Sequence, residues 1–343
     1  MKKTIFIAIL LSALEMNAQI GGRGIFSFTN LPFNSKMQAL GTNFISDLNS
    51  NDNSLSWNNP AMLNKNMDNA LSFSYNNFIN DIKFGTIAYA KSFKNIGTFN
   101  IGIMYLDYGK FDGYDAAGIA TRNFTVKDQC LSLGWGKAIN SKLNHGVNLK
   151  AIYSIYEAYV GNGIALDYSI QYHDTAKLYN ISGFVRNLGY QLYTFGETNR
   201  QPLATEIAIT LSKKLRHLPF TYYLTAHNLQ TPDFRYTISE TGQRDENGNN
   251  KVKKMTMGDN ILRHLNFGGE FNLSKKLALR MGYNHNRRKE MFQEVRRGTT
   301  GFSWGLAIKL NKYHFAYSSS AYFPGQNQNQ FSLLVNLNDF KKN

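Results

Sequence analysis

The stretch that decides the fold is Ile164-Ala165-Leu166-Asp167-Tyr168-Ser169-Ile170-Gln171-Tyr172. Apolar side chains at 164, 166, 168, 170 and 172 alternate with small or polar ones at 165, 167, 169 and 171. That period of two sends successive side chains to opposite faces of a strand, whereas a helix would spread the same residues around its whole circumference. Just upstream, Val147, Leu149, Ala151, Tyr153 and Ile155 alternate with Asn148, Lys150 and Ser154. One face is apolar and the other wet.

The pattern recurs at 99–105, 131–135, 207–211, 220–226, 277–283, 302–308, 313–317 and 331–337, and more weakly at 71–75, 83–90, 179–185 and 265–271. Together these give about fourteen strands, each near the length that crosses a bilayer. If the strand at 71–75 runs outward, the even-numbered connections (91–97, 139–145, 173–175, 213–218, 272–275, 311–312) are all short. The odd-numbered ones include the long segments 108–129, 188–204, 229–263 and 285–300. A soluble β-sandwich has no reason to sort its loops this way, but a transmembrane antiparallel β-barrel does, with short periplasmic turns and long outer loops.

Composition agrees. The chain has 343 residues, 38 Lys and Arg against 23 Asp and Glu, and a formal charge of +15. With 24 Phe, 20 Tyr and 3 Trp it has ample material for an ordered structure and for aromatic girdles. A mean hydropathy of -0.37, with no apolar run of membrane-helix length beyond the N-terminus, excludes a helical membrane bundle and leaves a closed barrel open. The one cysteine, Cys130, permits no internal disulfide and no thiolate metal centre.

Lys2 and Lys3 precede the apolar stretch 5–14, and Ala18 follows, which is the order of a signal peptide spanning 1–18. Export makes nucleic acid a poor partner for the basic charge. The organisation expected is therefore signal peptide 1–18, N-terminal plug segment 19–69 and barrel 70–340. Within the plug segment, Asn34-Ser35 followed by Gly41 brackets a short capped helix. The polar turn Trp57-Asn58-Asn59-Pro60-Ala61 cannot lie in lipid, so Asn59 and Pro60 are expected inside the barrel.

Met37-Gln38-Ala39-Leu40-Gly41, Trp57-Asn58-Asn59-Pro60-Ala61 and the fourteen-strand pattern together resemble the FadL-like outer-membrane barrels. A closer resemblance, to the PorQ family of the type IX secretion system, is carried by Gln19-Ile20-Gly21-Gly22-Arg23-Gly24 and Val185-Arg186-Asn187-Leu188-Gly189. Leu262-Arg263-His264, Arg280-Met281-Gly282-Tyr283-Asn284-His285 and Gly301-Phe302-Ser303-Trp304-Gly305 add to it. This resemblance implies a non-enzymatic subunit in the outer membrane of a Gram-negative bacterium. There it would anchor a PorZ-like surface protein, beside PorU and PorV, in a complex that attaches cargo to lipopolysaccharide. The FadL-like alternative is a channel for hydrophobic small molecules. Its expected lumen positions Asn148, Lys150, Asp167, Gln171, Arg186 and Arg280 are polar, which suits a hydrated or plugged interior better than a greasy one. Many barrels finish on an aromatic residue that assists assembly, whereas here Phe340 is followed by Lys341-Lys342-Asn343 and is out of phase with Phe331, Leu333, Val335 and Leu337.

Enzymatic motifs fare poorly. Gly301-Phe302-Ser303-Trp304-Gly305 matches G-x-S-x-G, but that motif requires a strand, a strained turn and a helix, and here it sits inside an alternating strand. His227, His264, His285 and His314 fall on separate strands or loops and do not have helical ligand spacing. Asp245-Glu246-Asn247-Gly248-Asn249-Asn250 has its glycine misplaced for a calcium loop, and Thr256 stands where the twelfth-position acid belongs. No catalytic residue, cofactor or metal is expected. Two outer loops carry the cations Lys251, Lys253, Lys254, Arg287, Arg288, Lys289, Arg296 and Arg297. These suit either the phosphates of lipopolysaccharide or an acidic partner docking on the outer face.

Overall fold

The computed structural model describes residues 24–47, 50–78, 81–196, 199–234, 237–244, 250–254, 256–291 and 298–340, with backbone alone for 237–254. The expected signal peptide, Arg296 and Arg297 lie outside the described residues, as do the side chains of Lys251, Lys253 and Lys254.

Alternation becomes wall. The strands are β1 Ala70–Asn77, β2 Lys83–Phe93, β3 Gly97–Phe111, β4 Phe124–Ala138, β5 Leu143–Tyr156, β6 Tyr159–Asp174, β7 Tyr179–Tyr193, β8 Glu206–Lys214, β9 Phe220–Ala226, β10 Thr237–Arg244, β11 Asn250–Lys254, β12 Leu265–Asn272, β13 Leu277–Asn284, β14 Phe302–Leu310, β15 Tyr313–Phe323 and β16 Gln326–Asn336. Each pairs antiparallel with its neighbour, β9 passes directly to β12, and β16 returns to β1, so fourteen strands close a barrel. β10 and β11 form a separate two-stranded ribbon within the β9 to β12 connection.

Along β6 the side chains of Ile164, Leu166, Tyr168 and Ile170 are 38–45% exposed, whereas Ala165, Asp167, Ser169 and Gln171 are at most 3% exposed. Register preserves the sorting across strands, because Leu149 faces Leu166 on the outside while Asn148 faces Asp167 on the inside. Ile101, Leu133, Ile209, Phe267, Leu279, Phe315 and Phe331 continue the exposed apolar belt around the ring. Water would penalise such a belt; hydrocarbon accepts it, and closure leaves no backbone edge unpaired in lipid. The chain is a transmembrane barrel.

The turns after β2, β4, β6, β8, β12 and β14 are short and share one end; the long connections share the other. Strands β3 to β7 run 14 to 16 residues, against 7 to 9 for β8, β9, β12 and β13, so one side of the wall stands higher at the long-loop end. At the short-turn end the seam between β1 and β16 is pinned. The Leu337 amide donates to the Asn69 carbonyl at 2.9 Å and the Asn338 side-chain amide donates to the Asp68 carbonyl at 3.0 Å. Phe340 belongs to a short turn after β16 and sets its ring edge-on against Tyr313 at 5.8 Å.

Candidate functional site

Residues 24–47 and 50–69 run inside the ring of strands, held by polar contacts and by apolar clusters such as Phe44 on Phe184 and Met37, Leu40 and Ile45 on Tyr223. Helix α1, Ser35–Ala39, begins where the Asn34 side chain accepts the Met37 amide at 2.9 Å, and it ends before Gly41, whose φ of 68° favours glycine. Ser35 donates its amide to the Ser332 hydroxyl at 2.9 Å and its hydroxyl to the Gln330 carbonyl at 3.0 Å on β16. On the facing wall, the Asn148 side chain donates to the Ser56 and Trp57 carbonyls at 2.9 and 3.0 Å, and the Ala61 amide donates to the Ser169 hydroxyl at 2.8 Å. Asn59 and Pro60, expected in the lumen from the sequence, are fully buried. Asn59 donates to the Ile45 carbonyl at 3.0 Å.

Two patches of glycine let the segment touch the wall's backbone. A Cβ on Gly146 would lie 2.3 Å from the Pro60 carbonyl carbon, and one on Gly136 2.4 Å from the Pro60 oxygen. At the end of α1, a Cβ on Gly282 would lie 2.2 Å from the Leu40 carbonyl carbon, and one on Gly305 2.6 Å from the Ala39 Cβ. Only residues without a side chain admit this approach.

Toward the long-loop end the lumen changes character. Phe84, Met104, Leu106, Cys130, Ile152 and Ala165 project inward from β2 to β6, and Phe26, Phe28, Phe33 and Trp57 of the N-terminal segment cover them. The rings of Phe33 and Trp57 pack at a tilt, 5.2 Å apart, and Phe26 meets Phe195 at 6.0 Å. Beside this apolar patch lies a fully buried ionic group. Lys150 Nζ is 2.7 Å from Asp167 Oδ2, and the Asn187 amide donates to the other Asp167 oxygen at 2.8 Å. Arg186 donates to the Thr29 carbonyl at 2.7 Å and lies 5.0 Å from the centre of the Phe44 ring, tying wall to segment. A second group joins Lys36 of α1 to Asp47 and to Glu270, 3.2 Å away, and Glu270 in turn accepts from Arg280 at 2.7 Å. At the short-turn end a cavity of about 690 Å³ opens between residues 62–66 and the turns after β2 and β4, reaching Gln171 and Asn180.

The outer loops carry two further helices, α2 Met257–Arg263 and α3 His285–Glu290. Asp259 clamps them together: Arg263 and His285 approach its two oxygens at 3.0 and 2.9 Å, and Lys289 lies at 3.4 Å. Burial would raise the Asp259 carboxyl, but hydrogen bonds from His285 and Arg263 and the charge of Lys289 outweigh it and lower it to about 2. Three of the cations named from sequence thus have internal work. Arg287 donates to the Ser320 hydroxyl at 2.8 Å and lies over the Tyr322 ring, Arg288 donates to the Gly298 and Thr300 carbonyls, and Lys289 faces Asp259. Ser303 is buried and donates to the Ala39 carbonyl at 3.0 Å, holding α1 to the wall. Sequence reading missed the inward apolar patch, although its signal is present. Alternation fails at Ile103-Met104-Tyr105-Leu106, where both faces of one strand are apolar.

Solved structures share this architecture. The Ralstonia pickettii toluene transporter TbuX superposes with a TM-score of 0.51 at 11% identity, covering 90% of this chain and 98% of that one. The Pseudomonas putida toluene transporter TodX gives 0.53 at 11% identity over 89% and 97%, and a Pseudomonas aeruginosa FadL homologue gives 0.50 at 8% over 88% and 98%. No family model and no curated protein sequence matches the chain. The protein is a closed fourteen-stranded antiparallel barrel of FadL-like architecture, and at these identities the likeness is one of fold.

Proposed function

We propose that the protein is an outer-membrane conduit for small apolar solutes in a Gram-negative bacterium. The observation that carries this reading is the inward apolar patch Phe84, Met104, Leu106, Cys130 and Ile152, the apolar cluster with the most wall residues among the described residues, covered by the chain's own Phe26, Phe28 and Phe33. Packing against Phe26, Phe28 and Phe33 seats the segment by apolar burial, and the same surface would receive an apolar guest once those rings leave it. A barrel that receives an apolar guest needs such a surface, and needs it covered when empty. Residues 24–33 are the removable cover and 34–69 the plug proper. That TbuX and TodX are described as toluene transporters supports the class of solute. The test is uptake of a radiolabelled monoaromatic hydrocarbon by intact cells carrying wild type or Leu106→Asp, because such solutes dissolve in and cross a plain phospholipid vesicle unaided, whereas the lipopolysaccharide leaflet resists them. Faster uptake with the wild type than with the variant, at equal barrel abundance, is expected. Equal uptake by cells lacking the protein would end the proposal.

A second reading is a type IX secretion subunit that anchors a PorZ-like surface protein beside PorU and PorV. It is supported by the sequence resemblance and by the Asp259 clamp, which makes one platform of two outer loops. Affinity purification from intact membranes separates the two readings. An anchor returns with a stoichiometric surface partner, and a conduit returns alone.

A further inference from the structure

The clamped outer loops and the lumenal segment meet at one side chain. Asn284 ends β13 and caps α3, its Oδ1 accepting the Arg287 amide at 2.8 Å. Its Nδ2 donates in the opposite direction, to the carbonyl of Gly41 at 3.2 Å, at the point where α1 turns back from the wall. Gly41 is packed against the same strand, since a Cβ there would lie 3.1 Å from the Tyr283 amide nitrogen. The neighbouring Tyr283 hydroxyl contacts His285 Nδ1 at 3.0 Å, and His285 Nε2 reaches Asp259 at 2.9 Å. One amide group therefore serves two masters. Tilting α3 drags the Asn284 acceptor, and the donor on the same planar group moves with it.

We infer that Asn284 is a positioning residue that couples the outer-loop clamp to the lumenal segment, so that whatever engages α2 and α3 from outside alters the hold of the wall on residues 37–42. The inference rests on the conduit reading for its purpose, and on the geometry alone for its existence. Asn suits the position because it offers an acceptor and a donor on one rigid plane, and no hydroxyl or carboxylate supplies both at this separation. The α1 end is poised to respond. The Gly41 amide donates to Gln38 and the Thr42 amide to Met37, at 3.0 and 3.1 Å, bonds that survive only while the turn keeps its place.

Hydrogen exchange read by mass spectrometry on the full-length protein in lipid nanodiscs tests this. Asn284→Asp keeps the cap but turns a carboxylate oxygen toward the Gly41 carbonyl; Asp259→Asn weakens the clamp without touching the wall. Both variants are expected to speed exchange of residues 37–42 by about fivefold or more, the effect of losing roughly one hydrogen bond, and to leave 59–63 unchanged. Faster exchange confined to α2 and α3 in Asp259→Asn would overturn the coupling, as would unchanged exchange at 37–42 in Asn284→Asp. Should Asn284→Asp fail to assemble, Asp259→Asn decides alone, since its site lies in the loops. Solute uptake by intact cells carrying the same variants reports separately on the conduit. A wild type that takes up nothing removes that reading, while the exchange result still stands or falls by itself.

Discussion

Gly146→Ala adds one methyl group at the point where the wall meets the lumenal segment. The new Cβ would lie 2.3 Å from the Pro60 carbonyl carbon, 2.4 Å from its oxygen and 2.7 Å from the Ala61 nitrogen. Ordinary contact between such atoms is near 3.5 Å, so the turn at 60–62 must retreat by about 1 Å. The atoms in the way are backbone, and no rotamer change relieves them. Retreat stretches the bond from the Ala61 amide to Ser169, now 2.8 Å, and those from Asn148 to residues 56 and 57, now 2.9 and 3.0 Å. Overpacking costs about 1–3 kcal/mol and the three disturbed hydrogen bonds about 1 kcal/mol each if lost, which puts the variant at about 4–6 kcal/mol. The ladder between β4 and β5 is untouched, so the barrel itself should still form. The assay pairs the temperature at which the folded barrel converts to the slower unfolded band with tryptic cleavage at Lys36, now 8% exposed. A lower conversion temperature and new cleavage at Lys36 are expected. Gly183→Ala, whose Cβ would meet nothing nearer than Ile170 at 3.9 Å, should behave as wild type. A Gly146→Ala protein matching wild type in both measurements would refute the claim that the segment rests on the wall's backbone.

Tyr168→Arg places a cation among lipid chains and should lower the assembled fraction by an amount equivalent to about 2–4 kcal/mol; normal assembly in folding yields would show the outer face to be misassigned. Inward orientation alone would make Asp167→Arg mild, but Asp167 is the buried partner of Lys150 beside Arg186, so this change leaves three cations together and should cost about 3–5 kcal/mol. Lys150→Met with Asp167→Leu should recover most of that loss, and an equally unstable double variant would show that the ion pair is not the cause. The Asp259 carboxyl lies below its ordinary 3.8, at about 2, so its stabilisation of the loops is complete above the unfolded value and lost as pH falls through the folded one. Exchange protection of α2 and α3 should therefore persist to about pH 4 and fail only near pH 2 to 3; release of the carboxylate between pH 7 and 5 would contradict the clamp.

Most of the wall was legible because lipid imposes an inverted code. At Ile164 to Tyr172 every odd–even alternation in sequence reappears as an outside–inside alternation in exposure, and the sorting of loops by length located both ends of the barrel. The capped helix at Ser35–Ala39 was also legible, because Asn34 and Gly41 supply local start and stop signals. The helices α2 and α3, of seven and six residues, are too short to show periodicity, although Thr256 and Asn284 cap them in the structure. The ionic groups were hidden for a different reason. Lys150, Asp167 and Arg186 lie on three strands, and only register brings them together. Likewise, the cations at 287–289 read as a free basic patch because sequence does not show that Tyr322, Thr300 and Asp259 lie against them.

The two halves of the lumenal segment are held by different physics. Residues 34–47 and 50–67 are fixed by hydrogen bonds to strands on opposite sides of the ring and by the glycine contacts, besides apolar contacts of their own, so their removal would break many bonds at once. Residues 24–33 have fewer polar ties, namely Thr29 to Arg186, Asn30 to Asn187 and Ala204, Pro32 to Gln330, Phe33 to Thr86 and the short bridge of Ile25 to Leu203, and otherwise rest on apolar contact. An apolar guest can replace the Phe26 and Phe28 rings contact for contact, whereas nothing so simple replaces Ser35 on β16 or Ala61 on β6. Local opening follows the weaker boundary. If the barrel conducts, it does so by exchanging guest for cover at 24–33 while α1 stays seated, and the glycines at 282 and 305 keep that seat close enough for Asn284 to reach it.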